Sequence, residues 1–212
     1  MMFEHQGESM KIVGLSGSLR SGSYNTALLK AANEEIKDKI VMQIYTVHDI
    51  PLYDGDQETR NGIPLRVSAI KEELTNSDGL LIATPEYNNS MPGVLKNTID
   101  WLTRPPQDIK RVFSGLPVAL IGASPSAFGT VLAQEAWLPV FRTLGMKPWF
   151  GKNLHVSHAD KVFDNAGKIT DPEISAQLRQ FMQGFMAFIE LQTIKAPSVQ
   201  KTKTEQQQDF LH

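Results

Sequence analysis

Hydroxyl side chains crowd one short stretch, Ser16-Gly17-Ser18-Leu19-Arg20-Ser21-Gly22-Ser23-Tyr24-Asn25-Thr26, and Arg20 is its one cation. A helix start leaves backbone N–H groups unpaired and carries a partial positive charge. Set beside such a start, the hydroxyls of Ser16, Ser18, Ser23 and Thr26, the Asn25 amide and the Arg20 guanidinium suit a phosphate. The plainer alternative is a Ser-rich helix cap with no ligand. Two familiar phosphate loops are excluded. No Lys lies between Lys11 and Lys30, so there is no Walker loop, and Gly14, Gly17 and Gly22 lack the dinucleotide spacing. Hydroxyls in place of glycines point to a terminal monophosphate.

A second stretch, Thr84-Pro85-Glu86-Tyr87-Asn88-Asn89-Ser90-Met91-Pro92-Gly93, combines a strand stop, an aromatic face, an amide and a Pro-started helix. Tyr87, Asn88 and the free N–H groups of that helix start are what a flat, amphipathic heterocycle needs. An ordinary strand-to-helix turn is again the alternative.

Strand and helix patterns alternate around these loops. Lys11 to Leu15, Val41 to Val47, Gly79 to Thr84 and Pro117 to Ala123 read as strands, and a fifth lies within Lys147 to Val156. Helices are expected from Asn25, with Leu28, Leu29, Ala32 and Ile36 on one face, and after Pro64, with Leu65, Ala69, Ile70 and Leu74 buried. Others begin near Pro92, at Val131 to Leu144 with a break at Pro139, and at Glu173 to Thr193. Asp49 to Asp56 reads as an acidic, turn-rich loop. The alternation implies a doubly wound parallel α/β sheet with helices on both faces, formed by one domain over residues 10–195. Residues 1–9 and 196–212 are expected to be flexible ends. Ligands in such sheets sit beyond the carboxyl ends of the strands, which gathers loops 16–25, 85–93 and 123–130 into one site.

Composition narrows the function. The chain of 212 residues is 41% hydrophobic and 21% charged, with a net charge of −2 and no cysteine. Disulfides and thiol chemistry are excluded, and a basic nucleic-acid surface is unsupported. No apolar run approaches the ~18 residues of a spanning helix, so no membrane partner is expected and a cytoplasmic location is. Glu86 is the one acidic residue in the three loops, which argues against a metal site. His155 and His158 are three apart, but Pro148 and Gly151 speak against a helix there, so both read as structural or surface residues.

Taken together, Gly17 to Asn25, Asp49-Ile50-Pro51-Leu52-Tyr53-Asp54 and Pro85-Glu86-Tyr87-Asn88 running on to Leu102 resemble the NADPH-dependent FMN reductase family, whose members include flavin, quinone, azo-dye and chromate reductases. The resemblance covers Lys11 to Ile189. It implies a flavodoxin-like, five-stranded sheet of order 2-1-3-4-5. It also implies FMN as cofactor and NADPH or NADH as hydride donor. Position by position, Ser18, Arg20, Ser23, Asn25 and Thr26 match the phosphate grip. Pro85, Glu86, Tyr87 and Asn88 match the loop along the ring, and Ser124 and Gly129 meet the flavin from the loop after strand four. The implied activity is ping-pong reduction of a small-molecule acceptor: a quinone, azo compound, metal oxyanion or free flavin. A flavodoxin-type electron carrier is the alternative. Trp137 and Trp149 read as core or subunit-contact residues. Relatives often carry Gly-Gly-Ala-Arg where this chain has Gly129-Thr130-Val131-Leu132. The Arg that helps join their subunits is therefore Leu132 here, and a homodimer is expected ahead of a homotetramer.

Overall fold

In β1 (Lys11–Ser16) every residue after Lys11 is buried, as in a strand covered on both faces. The structure is a computed structural model and describes residues 9–38 and 40–195. The expected flexible ends, residue 9 apart, lie outside the described residues. Ser23 caps α1 (Tyr24–Ile36), its hydroxyl accepting the Thr26 N–H, and Leu28, Leu29, Ala32 and Ile36 form the buried stripe. β2 (Val41–Thr46) follows, then two helices, α2 (Gly55–Asn61) and α3 (Leu65–Thr75). Next come β3 (Gly79–Ala83), α4 (Gly93–Leu102), α5 (Asp108–Phe113) and β4 (Pro117–Ala123). The chain continues through α6 (Val131–Ala136), α7 (Leu138–Leu144), β5 (Lys147–Pro148), β6 (His155–Val156), α8 (Ala159–Val162) and α9 (Pro172–Lys195).

The sheet is parallel, in the order β2-β1-β3-β4-β5, with β6 also on β4. That is the expected order. The fifth strand, however, is split: Lys147 and Pro148 pair with Pro117 and Val118, and His155 and Val156 with Gly122 and Ala123. Pro148 brings no N–H to the ladder, and the chain loops away between the two pieces. A cleft of about 190 Å³ opens in that gap, against Leu120, Phe141, Trp149 and His155.

Side chains alternate across the strands into two cores. Ile12, Leu81 and Ile121 pack with α1 and α9. Val13, Leu15, Leu80, Ile82 and Val118 pack with α3, α4, α5 and α7. This is the two-layer cover that a doubly wound sheet requires.

Three local expectations are corrected. Leu65 is 90% exposed and Ala69 is exposed; the buried stripe of α3 is Val67, Ile70, Lys71 and Leu74. Ile70 and Leu74 are buried as the apolar spacing suggested, and Val67 takes the place of Leu65 at the start of the stripe. Lys71 enters that stripe because its ammonium reaches Asp108 at 3.0 Å and also the Arg104 carbonyl. Second, the acidic stretch at Asp54 is not only loop: Asp54 Oδ1 accepts the Asp56 N–H and starts α2, which buries no residue and so has no apolar rhythm to read. Third, α5 and α8 have no counterpart among the expected helices; six and four residues are too few for a periodic signal. The helix expected at Val131 to Leu144 does break as Pro139 suggests, into α6 and α7.

Candidate active site

The loops after β1, β3 and β4 meet at the carboxyl edge of the sheet, where the strand order reverses between β1 and β3. Each is tied to its neighbour. Gly17 N–H donates to the Ala83 carbonyl at 2.9 Å, and Thr84 N–H to the Ile121 carbonyl at 2.9 Å. A Cβ on Gly17 would stand 2.6 Å from Leu95 Cδ2 and 2.9 Å from Pro85 Cδ, so the first two loops approach this closely only over a bare α-carbon. Gly122 has the same use in β4: a Cβ there would lie 2.6 Å from the Thr84 carbonyl oxygen and would collide with the Thr130 hydroxyl.

The phosphate candidates divide into two groups. Ser18 is 4% exposed, and its Oγ accepts the Arg20 N–H at 3.3 Å. Ser23 Oγ accepts the Thr26 N–H at 3.2 Å. A hydroxyl that accepts keeps its own proton to give, so both retain a donor for an anion. Arg20 is exposed and makes no ion pair among the described residues. These three belong to the loop that leads into the α1 N-terminus. Asn25 and Thr26 are engaged by the protein itself. Asn25 Nδ2 donates to the Ala123 carbonyl and Oδ1 accepts the Ala123 N–H, both at 2.9 Å. Thr26 Oγ1 pairs with Ser16 Oγ at 2.7 Å. Their side chains shape the loop from beneath.

In the second loop, Tyr87 and Ser90 exchange two backbone hydrogen bonds, of 3.0 and 3.1 Å, around Asn88 and Asn89. Both asparagines have positive φ, 51° and 61°. This is the primed two-residue turn, which Asn tolerates better than other side chains. The turn holds Tyr87 out at 45% exposure. Pro85 is buried below it. Glu86 turns away to α6, where Oε2 accepts the Ala133 N–H at 2.9 Å. The carboxylate thus caps a helix that begins in the third loop, favourably placed against its dipole.

In the third loop, Ser124 Oγ donates to Ser126 Oγ at 3.1 Å, and Ser124 N–H donates to the Val156 carbonyl at 2.9 Å. Gly129 N–H turns toward the Ser126 carbonyl at 3.4 Å. Phe128 stands 77% exposed. Beneath lies a polar seam with no apolar rhythm to betray it: Trp137 Nε1 donates to Thr84 Oγ1 at 3.1 Å, and Gln134 Nε2 to Thr130 Oγ1 and the Leu154 carbonyl, each at 3.1 Å. Trp137 is fully buried and Trp149 packs on Phe181 and Phe185, as core residues do.

His155 lies in β6, outside the three loops. Burial pushes its imidazole below the usual range, against the opposing pull of Glu135 and Glu86, and its buried Nδ1 has no hydrogen-bond partner among the described residues. His158 takes a left-handed backbone, φ 48°. Among the described residues no three His, Cys, Asp or Glu groups come together as a metal site, and no helix is long and apolar enough to cross a membrane.

The three loops thus bring the Ser18 and Ser23 hydroxyls, Arg20 and the exposed Tyr87 to one edge of the sheet. The donor set fits the phosphate and the flat ring of FMN. Residues 10–161 match the family model described as NADPH-dependent FMN reductase. An NAD(P)H-dependent FMN reductase of Pseudomonas aeruginosa is 38% identical over 182 residues, 86% of this chain and 96% of that protein. A 2-hydroxy-1,4-benzoquinone reductase of a Burkholderia species is 34% identical, over 85% of this chain and 97% of its own. Among solved structures, a flavoenzyme NAD(P)H:(acceptor) oxidoreductase of Paracoccus denitrificans superposes with a TM-score of 0.75 at 30% identity, covering 86% of this chain and 98% of the other.

Proposed function

The chain belongs to the NADPH-dependent FMN reductase family, and from that premise we propose that the three loops hold FMN while NAD(P)H and a quinone-type acceptor use its open side in turn. The chain is an FMN-dependent NAD(P)H oxidoreductase. FMN, when bound, supplies the hydride chemistry.

The protein's own part is to hold and orient. Ser18 and Ser23 keep their hydroxyl protons for the phosphate, and Arg20 gives it a counter-charge. The Asn88-Asn89 turn presents Tyr87 in solvent, and Tyr87, Pro85, Ser124 and Gly129 would be the residues that meet the ring. Glu86 acts at one remove, by fixing the α6 start against the second loop. The observation that carries the reading is that the two acceptor-engaged hydroxyls and Arg20, which makes no ion pair among the described residues, share one loop at the α1 N-terminus.

One nucleotide cradle for two substrates implies ping-pong kinetics, since donor and acceptor must alternate. The quinone acceptor is proposed from the benzoquinone reductase among the relatives, and a homodimer in the cytoplasm is part of the same proposal. Anaerobic titration with NADPH and with NADH, following bleaching of the yellow protein, tests the donor. Steady-state rates with a quinone should give parallel double-reciprocal lines. Intersecting lines, or no bleaching by either nucleotide, would overturn the reading.

A further inference from the structure

His48 belongs to none of the segments discussed so far, yet both of its ring nitrogens are engaged. Nδ1 lies 3.1 Å from Thr46 Oγ1, and Nε2 lies 3.0 Å from the carbonyl oxygen of Leu19, in the first loop and 29 residues away in sequence. A carbonyl only accepts, so Nε2 carries the proton and donates to the Leu19 carbonyl; in the neutral ring Nδ1 accepts from the Thr46 hydroxyl. The backbone makes this reach possible. β2 ends at Thr46, Val47 is buried beneath, and Asp49 takes a left-handed conformation, φ 60°. The chain turns sharply there and leaves His48 at the surface beside the first loop.

What His48 holds is one particular peptide unit. The Leu19–Arg20 peptide has its carbonyl bound by His48 Nε2 and its N–H bound by Ser18 Oγ at 3.3 Å. Both polar atoms of that unit are therefore fixed, and its orientation with them. This is the peptide that sets the Cα of Arg20. It also occupies the acceptor side of Ser18 Oγ, which leaves the Ser18 proton for a ligand. Two of the three proposed phosphate contacts thus depend on the plane of one peptide, and an exposed histidine from the turn after β2 holds its outer end.

We propose that His48 is a positioning residue for the phosphate grip, acting through the Leu19 carbonyl on Arg20 and Ser18. It touches neither phosphate nor ring. The inference rests on the FMN assignment of the first loop, and its test separates the two.

The test compares FMN with riboflavin, which has the same ring and no phosphate. Dissociation constants of both are measured by fluorescence quenching on the apoprotein, for the parent, His48→Ala and His48→Gln, with the apoprotein melting temperature alongside. The parent should prefer FMN. In His48→Ala the FMN constant should rise about threefold or more, the scale of one lost hydrogen bond, while the riboflavin constant stays put. His48→Gln offers an amide N–H in place of Nε2–H and should recover most of the preference. Thr46→Val, which removes only the hydroxyl partner of Nδ1, should weaken FMN in the same direction by less, and it serves if His48→Ala proves unstable. A parent that prefers FMN and a His48→Ala variant with the same preference overturn the positioning role alone. An equal loss of FMN and riboflavin also overturns it, by showing general disruption. A parent with no preference overturns the phosphate assignment, and the inference with it.

Discussion

Asn25, near the start of α1, clasps Ala123, the last residue of β4, through both atoms of its amide: Nδ2 to the carbonyl and the N–H to Oδ1, each at 2.9 Å. The clasp imitates a strand pairing and joins the first loop to the third across the crevice. Asn25 is 4% exposed, so both bonds are out of water. Asn25→Ala leaves a buried N–H and carbonyl unpaired, at about 1–3 kcal/mol each. Urea unfolding of the apoprotein should show a loss of about 2–6 kcal/mol, with FMN affinity falling because the third loop is released. A variant as stable as the parent would mean that the clasp is not formed in solution.

Arg20 gives a complementary result. It is exposed and carries no packing role. Arg20→Ala should leave the melting temperature of the apoprotein unchanged and weaken FMN by about tenfold or more, the worth of a charge-assisted hydrogen bond. Riboflavin should bind as before. An unchanged FMN constant places the phosphate elsewhere.

Gly17→Ala brings a methyl within 2.6 Å of Leu95 Cδ2 and 2.9 Å of Pro85 Cδ. The first and second loops must move apart, at about 1–3 kcal/mol for such overpacking. The expected readout is a lower melting temperature together with weaker binding of both FMN and riboflavin, since the ring's floor at Pro85 shifts too. Gly22 has open space where a Cβ would go, so Gly22→Ala is the control and should change little.

Glu86 distinguishes capping from ring contact. Its Oε2 accepts the Ala133 N–H at 2.9 Å. Glu86→Ala should cost about 1 kcal/mol of stability, as loss of a helix cap does, and Glu86→Gln should retain most of it. If Glu86→Ala lowers flavin affinity without touching stability, the carboxylate acts on the ligand directly.

His155 sets a pH dependence. Burial lowers its pKa in the folded protein below the 6.5 of the free side chain. The unfolded chain then takes up the proton first. Stability from this group is full above pH 6.5 and declines as pH falls through 6.5 toward the lower folded value. The melting temperature should therefore drop less between neutral and mildly acid pH in His155→Leu than in the parent. An equal drop would show that other groups govern the acid side.

Much of the frame was legible because periodicity reports burial. The apolar runs of β1, β3 and β4 and the Leu28-Leu29-Ala32-Ile36 stripe of α1 face a core, and a core leaves its rhythm in the sequence. Where burial is absent the signal fails. α2 buries nothing, and Leu65 has the right type and spacing yet stands in solvent. The meeting of the three loops was legible, because the strand alternation placed them at one edge of the sheet. The division of labour inside the site was not. Whether an Asn meets a ligand or a backbone is decided by partners far away in sequence, as with Asn25 and Ala123, 98 residues apart. The polar seam of Thr84, Trp137 and Gln134 is invisible for the same reason.

The most direct measurement is a crystal structure of the protein soaked in FMN. The phosphate should appear at Ser18, Arg20 and Ser23, with the ring between the Tyr87 turn and the loop from Ser124 to Gly129. A flavin bound elsewhere, or a crevice left empty at saturating FMN, would contradict the account.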